Sequence, residues 1–164
     1  MNNQLSLFGE SKKEILLSLR EEYYKKMLNG SKKYEYRTKY LKEETTAYIY
    51  ISKTLKKIVA KIEFGMPIVG TAEQIATISE RENPGSYDEM LQYMHNDIGY
   101  AIPIKKIIQL EEISLEDIKN IISGFAPPQS YYILDNKPEL LNILKSQKEI
   151  EIYEEDSKYI KRNH

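Results

Sequence analysis

Lys32, Lys33, Glu35 and Arg37 stand within six consecutive residues and carry the most pointed chemistry in this chain. Arg37 offers a planar fork of donors that suits a phosphate or a base edge, while the two lysines offer point charges on flexible stems. Glu35 beside these cations has three uses. It can pair with Arg37 and hold its fork in place, accept hydrogen bonds from a base, or act as a general base if burial raises its pKa. A purely structural ion pair between Glu35 and Arg37 on one strand face is the plainer account of the same two residues.

Two elements must meet to place these groups. Glu21 and Glu22 precede Lys25 and Lys26 by four residues, the favourable orientation for helical ion pairs, and Gly30 follows where a left-handed cap is expected. A helix therefore ends at Gly30 and hands over to a strand. If residues 33–37 are extended, Lys33, Glu35 and Arg37 share one side and Tyr34 and Tyr36 the other.

The rest of the chain reads as strands interrupted by short helices. Ile15 to Leu19 is an apolar run compatible with a buried strand. Thr46 to Ser52 alternates Ala47, Ile49 and Ile51 with Tyr48, Tyr50 and Ser52, which suits the wall of a barrel. Residues 53–56 make a short hairpin connection into a Lys57 to Phe64 strand. Thr71 and Ser86 can cap two short helices, expected to lie across one barrel mouth. Tyr100 to Leu110 resumes as a strand, and Pro103 argues for an edge or a bulge there. A Ser114 to Ser123 helix, a Tyr131 to Leu134 strand, a helix through Leu140, Leu141 and Leu144, and a polar tail from Glu149 complete the reading.

Gly30, Lys32, Glu35 and Arg37 match the glycine, x, lysine, x, x, glutamate, x, arginine signature of ASCH domains, a branch of the PUA-like superfamily. The order of elements from Lys12 to Leu134 also resembles that family, as does the late segment Pro127-Pro128-Gln129-Ser130. The resemblance implies an α+β protein, a PUA-like open mixed β-barrel of about six strands flanked by helices. Its divisions are an N-terminal extension over residues 1–11, the ASCH domain over 12–134, and a C-terminal helix and polar tail over 135–164. It also implies a cleft beside the motif strand that binds RNA or another nucleotide-bearing ligand. Single-stranded nucleic acid is gripped by cations along its backbone and aromatic faces against its bases. Lys32, Lys33, Arg37, Lys53, Lys56 and Lys57 would form the cationic rim with Glu35 among them, and Tyr34, Tyr36, Tyr48 or Tyr50 the stacking faces.

Catalysis is the alternative. One ASCH group resembling this sequence hydrolyses N4-acetylcytidine with a lysine, a threonine and a glutamate, and some relatives are described as ribonucleases. Lys32 matches the lysine, but the threonine position holds Glu35 and the later glutamate falls at best on Glu63. A nucleophile would have to come from Ser31, Ser52 or Thr54. If the protein is an enzyme, Lys32 and Glu35 are the candidates. The expectation is a binding module that is regulatory rather than catalytic. A third reading is a protein-interaction adaptor that uses the acidic second half.

Net charge is only -1, yet residues 20–66 hold twelve Lys or Arg against six acids, while residues 67–164 hold ten against seventeen. Local potential rather than total charge attracts phosphates. With no cysteine and two distant histidines, His95 and His164, neither a disulfide framework nor a zinc site nor a serine triad has the residues it needs. Gly65, Gly70 and Gly99 are isolated, so no phosphate loop exists, and no cofactor is expected. Residues 1–11 lack the pattern of a signal peptide and no long apolar run occurs, so the sequence predicts a soluble cytoplasmic protein with no membrane partner. One domain with a real core suits 164 residues that are 41% apolar.

Overall fold

The computed structural model describes residues 12–95 and 98–154 in full and the backbone of 161–163. The expected N-terminal extension lies outside the described residues. Within them, a mixed sheet curls into a half-barrel with helices packed on it. The strands are β1 (Lys13–Arg20), β2 (Tyr34–Arg37), β3 (Thr45–Ser52), β4 (Lys57–Phe64), β5 (Ile68–Gly70), β6 (Gly99–Ser114), β7 (Tyr131–Ile133), β8 (Glu149–Glu154) and β9 (Lys161–Asn163). The helices are α1 (Glu21–Leu28), α2 (Ala72–Glu82), α3 (Tyr87–Tyr93), α4 (Leu115–Ile121) and α5 (Pro138–Lys145).

Strand order along the main path is β7-β1-β3-β4-β6-β8-β9, with β2 and β5 also paired to β6. β1 and β3 run parallel in unbroken register, Lys13 opposite Thr45 and Arg20 opposite Ser52. Parallel neighbours need a crossover, and α1 with β2 supplies it. β6 is the spine. Its first part, Tyr100 to Pro103, pairs with β2, and its later part pairs with β4 and β8. Pro103 sits where these partners change, next to a register shift between Glu63 and Phe64 on β4, which is how a residue with no N–H is tolerated inside the sheet.

The alternation of β3 divides two cores. Ala47, Ile49 and Ile51 face the concave side with Ile15, Leu17, Ile62, Phe64 and Ile102, and α1 inserts Tyr24 and Met27 into the same cluster. Tyr48 and Tyr50 face the convex side, which Ile118 of α4 and Leu140 and Leu144 of α5 cover. A third, smaller cluster joins Tyr36 and Ala101 to Ile75 of α2 and to Met94.

Most expected elements are present at nearly their expected bounds. Thr71 caps α2 in a reciprocal capping box with Gln74. Ser86 does not cap α3 with its side chain. Its hydroxyl instead meets Ser79 at 2.7 Å, and Glu80 accepts the backbone N–H groups of Gly85 and Tyr87. The tail expected from Glu149 is a strand over its first six residues: β8 pairs with β6 from Lys106 to Leu110, because Ile152 on one face and Tyr153 on the other give that segment apolar side chains to pack on both sides of the sheet. No helix among the described residues is long and apolar enough to cross a membrane.

Candidate nucleotide-binding site

The junction between α1 and β2 is fixed by backbone bonds before any side chain is considered. The N–H groups of Asn29 and Gly30 donate to Lys25 and Met27, Gly30 adopts φ +83°, and the N–H of Lys32 returns to the carbonyl of Lys26 at 3.0 Å. Glycine is suited to that left-handed position. Lys32 is thereby tied to the last turn of α1 and its side chain folds back over β2. On the other side of β2, the Glu82 carboxylate at the end of α2 accepts the N–H groups of Lys33 and Tyr34 and the Tyr36 hydroxyl, the last at 2.8 Å. The inserted helices therefore brace the motif strand through Glu82.

Glu35 is 6% exposed and sits between two cations. Its Oε2 accepts from Arg37 Nε at 2.8 Å, and its Oε1 lies 3.7 Å from Lys32 Nζ. A buried carboxylate is tolerated only with such partners. Arg37 then commits two further donors to protein. Nη2 donates to the Ser18 carbonyl at 3.0 Å and Nη1 to the Ser130 hydroxyl at 3.3 Å. Ser18 is bound to the same late segment, donating its N–H to the Ser130 carbonyl and its hydroxyl to the Pro128 carbonyl. β2 lies off the main path of the sheet, paired to β6, while β7 and β1 form one end of that path. The Arg37 side chain bridges them.

Lys32 is placed differently. Its ammonium lies 4.9 Å from the ring centre of Tyr36 and 5.5 Å from that of Tyr23, a cation–π bracket with the Glu35 charge beside it. Tyr93 donates its hydroxyl to the Tyr36 carbonyl at 3.4 Å. Burial and the Glu82 carboxylate push the Tyr36 phenol well above its ordinary pKa. Burial likewise raises the Tyr93 phenol, with the Arg37 guanidinium opposing and Glu35 and Tyr23 adding. Tyr23, Lys32, Glu35, Arg37 and Tyr93 are thus one electrostatic neighbourhood.

Three solved structures share this arrangement of elements. An ASCH protein from Zymomonas mobilis superposes with a TM-score of 0.69 at 22% identity, over 84% of this chain and 98% of that one. Two variants of the same protein, one with a tyrosine changed to phenylalanine and one with a serine changed to alanine, superpose at 0.69 and 0.70 with 21% identity, over 84% of this chain and 100% and 98% of theirs. This chain has the ASCH-domain fold. No family profile matches the sequence, and no curated relative does.

The ASCH fold brings some of the expected residues together and separates others. Lys32, Glu35, Arg37 and the Tyr36 ring converge, and Tyr34 packs beside Tyr36 with ring centres 6.2 Å apart. The Lys33 side chain is exposed. Lys53 and Lys56 hold the β3–β4 hairpin with φ of +68° and +53°, and Lys57 pairs with Glu112 at 3.1 Å, so these three lysines belong to the hairpin. Tyr48 is a correction. It is 2% exposed within the convex-side cluster, because α4 and α5 cover the face on which it stands, and its ring has no surface to offer a ligand. Tyr36 is buried too, and its ring serves Lys32 and the α2 cluster.

Ser31, Ser52 and Thr54, the candidate hydroxyls, lie in turns or on a strand end: Ser31 Oγ donates to the Lys26 carbonyl, Ser52 Oγ to the Leu19 carbonyl, and Thr54 bonds to Glu21. Glu63 is held by Lys12 and Thr46, both at 3.1 Å. Ser18, Ser130, Tyr23, Tyr93 and Glu82 were not singled out by sequence. Only Ser130 carried a signal, through the Pro-Pro-Gln-Ser segment. Among the described residues, no group of three or more His, Cys, Asp or Glu could hold a metal ion.

Proposed function

We propose that this ASCH-fold protein binds RNA or a nucleotide-bearing ligand around Lys32, beside the Gly30-to-Arg37 motif. The observation that carries this reading is the triad itself: two cations flank one buried carboxylate, leaving a local charge of about one positive unit where water is largely excluded. Arg37 is committed to closing the sheet, so Lys32 is the cation left to meet a phosphate or a base acceptor. The lysine-rich β3–β4 hairpin adds positive charge to the same half of the chain.

Hydrolysis of a modified nucleoside or of RNA is a second use of the same pair. Glu35 has a cation on each oxygen, which suits a positioning carboxylate better than a free base. Binding without turnover is therefore the favoured reading. The deciding experiment measures fluorescence anisotropy of a labelled single-stranded RNA at several salt concentrations, for the wild type and Lys32→Ala. The wild type should bind with an affinity that falls as salt rises, and the variant should bind about tenfold more weakly with a shallower salt slope. Equal affinity of the two proteins would refute the role of Lys32, and no RNA affinity at all would leave the adaptor reading in its place.

A further inference from the structure

Two aromatic rings stand beside Lys32 and the motif strand from different elements, and neither belongs to a core cluster. Tyr23 projects from α1 and is 42% exposed, and Tyr93 closes α3 and is 48% exposed. A singly exposed tyrosine is ordinary. Here two stand over one buried charge cluster: the Tyr23 ring is 5.5 Å from the Lys32 ammonium, and the Tyr93 hydroxyl is fastened to the backbone of the motif strand at Tyr36. This long contact turns the Tyr93 hydroxyl toward the motif strand while leaving much of the ring open. α2 and α3 pack together, so Tyr93 is carried by the same unit whose Glu82 grips β2.

We infer that Tyr23 and Tyr93 are the base-contacting walls of this site, so that it takes one unpaired nucleobase against their rings with Lys32 facing an acceptor on that base, rather than a run of phosphates alone. This rests on the nucleotide-binding reading above and names the part of the ligand that is held. Lysine donates and does not accept, and every base carries acceptors on its edge. Stacking on tyrosine is likewise tolerant of base identity. The site registers the presence of a base more than which base it is.

The test crosses two proteins with two ligands. The ligands are a single-stranded RNA hexanucleotide and a hexanucleotide of the same length built from abasic residues, and the proteins are wild type and Tyr23→Ala. Tyr23→Ala should lower affinity for the RNA about tenfold, the size of one lost stack, and leave affinity for the abasic strand unchanged. Tyr93→Ala should behave likewise, whereas Tyr93→Phe, which keeps the ring, should retain most of the binding. Thermal unfolding confirms that each variant is folded. If Tyr23→Ala and Tyr93→Ala bind the RNA as wild type does, or lose affinity for both ligands equally, the inference falls while the binding reading stands. If the wild type binds neither ligand, the binding reading falls and takes the inference with it.

Discussion

The guanidinium of Arg37 and the carbonyl of Ser18 lie 3.0 Å apart across two strands that share no ladder among the described residues. The signature arginine therefore works first as a clasp. It ties β2, held on one side only by β6, to β1 and to the segment leading into β7. Glu35 aims the clasp by taking its Nε at 2.8 Å.

Removing the clasp should cost stability before it costs ligand. Arg37→Ala leaves a buried Glu35 with one distant cation, and breaking a buried pair in this way costs about 3 kcal/mol. Urea unfolding of Arg37→Ala against the wild type measures it. A midpoint unchanged from wild type would show that the pair contributes nothing to the fold.

Glu82 gives a prediction about exchange. Its carboxylate accepts the N–H groups of Lys33 and Tyr34 together with the Tyr36 hydroxyl. The two N–H groups share Oε2 and the hydroxyl uses Oε1, so Glu82→Ala, which removes both oxygens, should make the Lys33 and Tyr34 amides exchange hydrogen faster and lower stability by about 1 to 2 kcal/mol. Native-state hydrogen exchange resolved to β2 reads this directly. Unaltered protection at both amides would remove Glu82 from its role as the brace.

The tyrosines predict an alkaline limit. Burial pushes the Tyr48 phenol up to about 12, and burial with the Glu151 hydrogen bond does the same for Tyr153. Tyr24, Tyr36 and Tyr40 are raised as well, burial being the largest cause in each. A raised phenol keeps its proton in the folded state longer than in the unfolded chain, where tyrosine ionises near 10. The unfolded state therefore loses protons first, and the stabilisation is present in full below about pH 10 and drains away as pH rises through the folded values. Urea midpoints from pH 8 to 12 should hold steady and then drop, with the tyrosinate absorbance of the buried tyrosines appearing together with unfolding. Ionisation of all fourteen tyrosines with the fold intact would contradict this.

Gln147 is a buried fastener far from the site. Its Nε2 donates to the carbonyls of Ile58 on β4 and Glu111 on β6, both at 3.0 Å. Gln147→Leu should cost about 1 to 3 kcal/mol, because two buried acceptors lose their donor. Thermal unfolding of the variant should show the loss, with RNA affinity unaffected.

The sequence made most local structure legible because it was locally encoded. The α1 helix announced itself through its acid-to-base spacing and Gly30, and β3 through strict alternation. The triad was legible for the same reason, since Lys32, Glu35 and Arg37 are neighbours in the chain. What could not be read was what covers each face. Tyr48 sits on a strand face that looks equally suited to solvent or to a core, and only the docking of α4 and α5, encoded some seventy residues or more later, decides the matter. The same holds for Glu149–Glu154, whose acidic composition suggests a tail until β6 is present as a partner. Tyr23 and Tyr93 have meaning only once α1 and α3 stand over the same strand.

β6 runs sixteen residues and is shared by β2, β4, β5 and β8. Each neighbour reads its own stretch of that strand in a set register, so adding or deleting one residue between Gly99 and Ser114 would turn side chains inside out for several partners together. Length changes in evolution should therefore collect in loops such as the one between α4 and β7, while this strand keeps its residue count even where its letters drift.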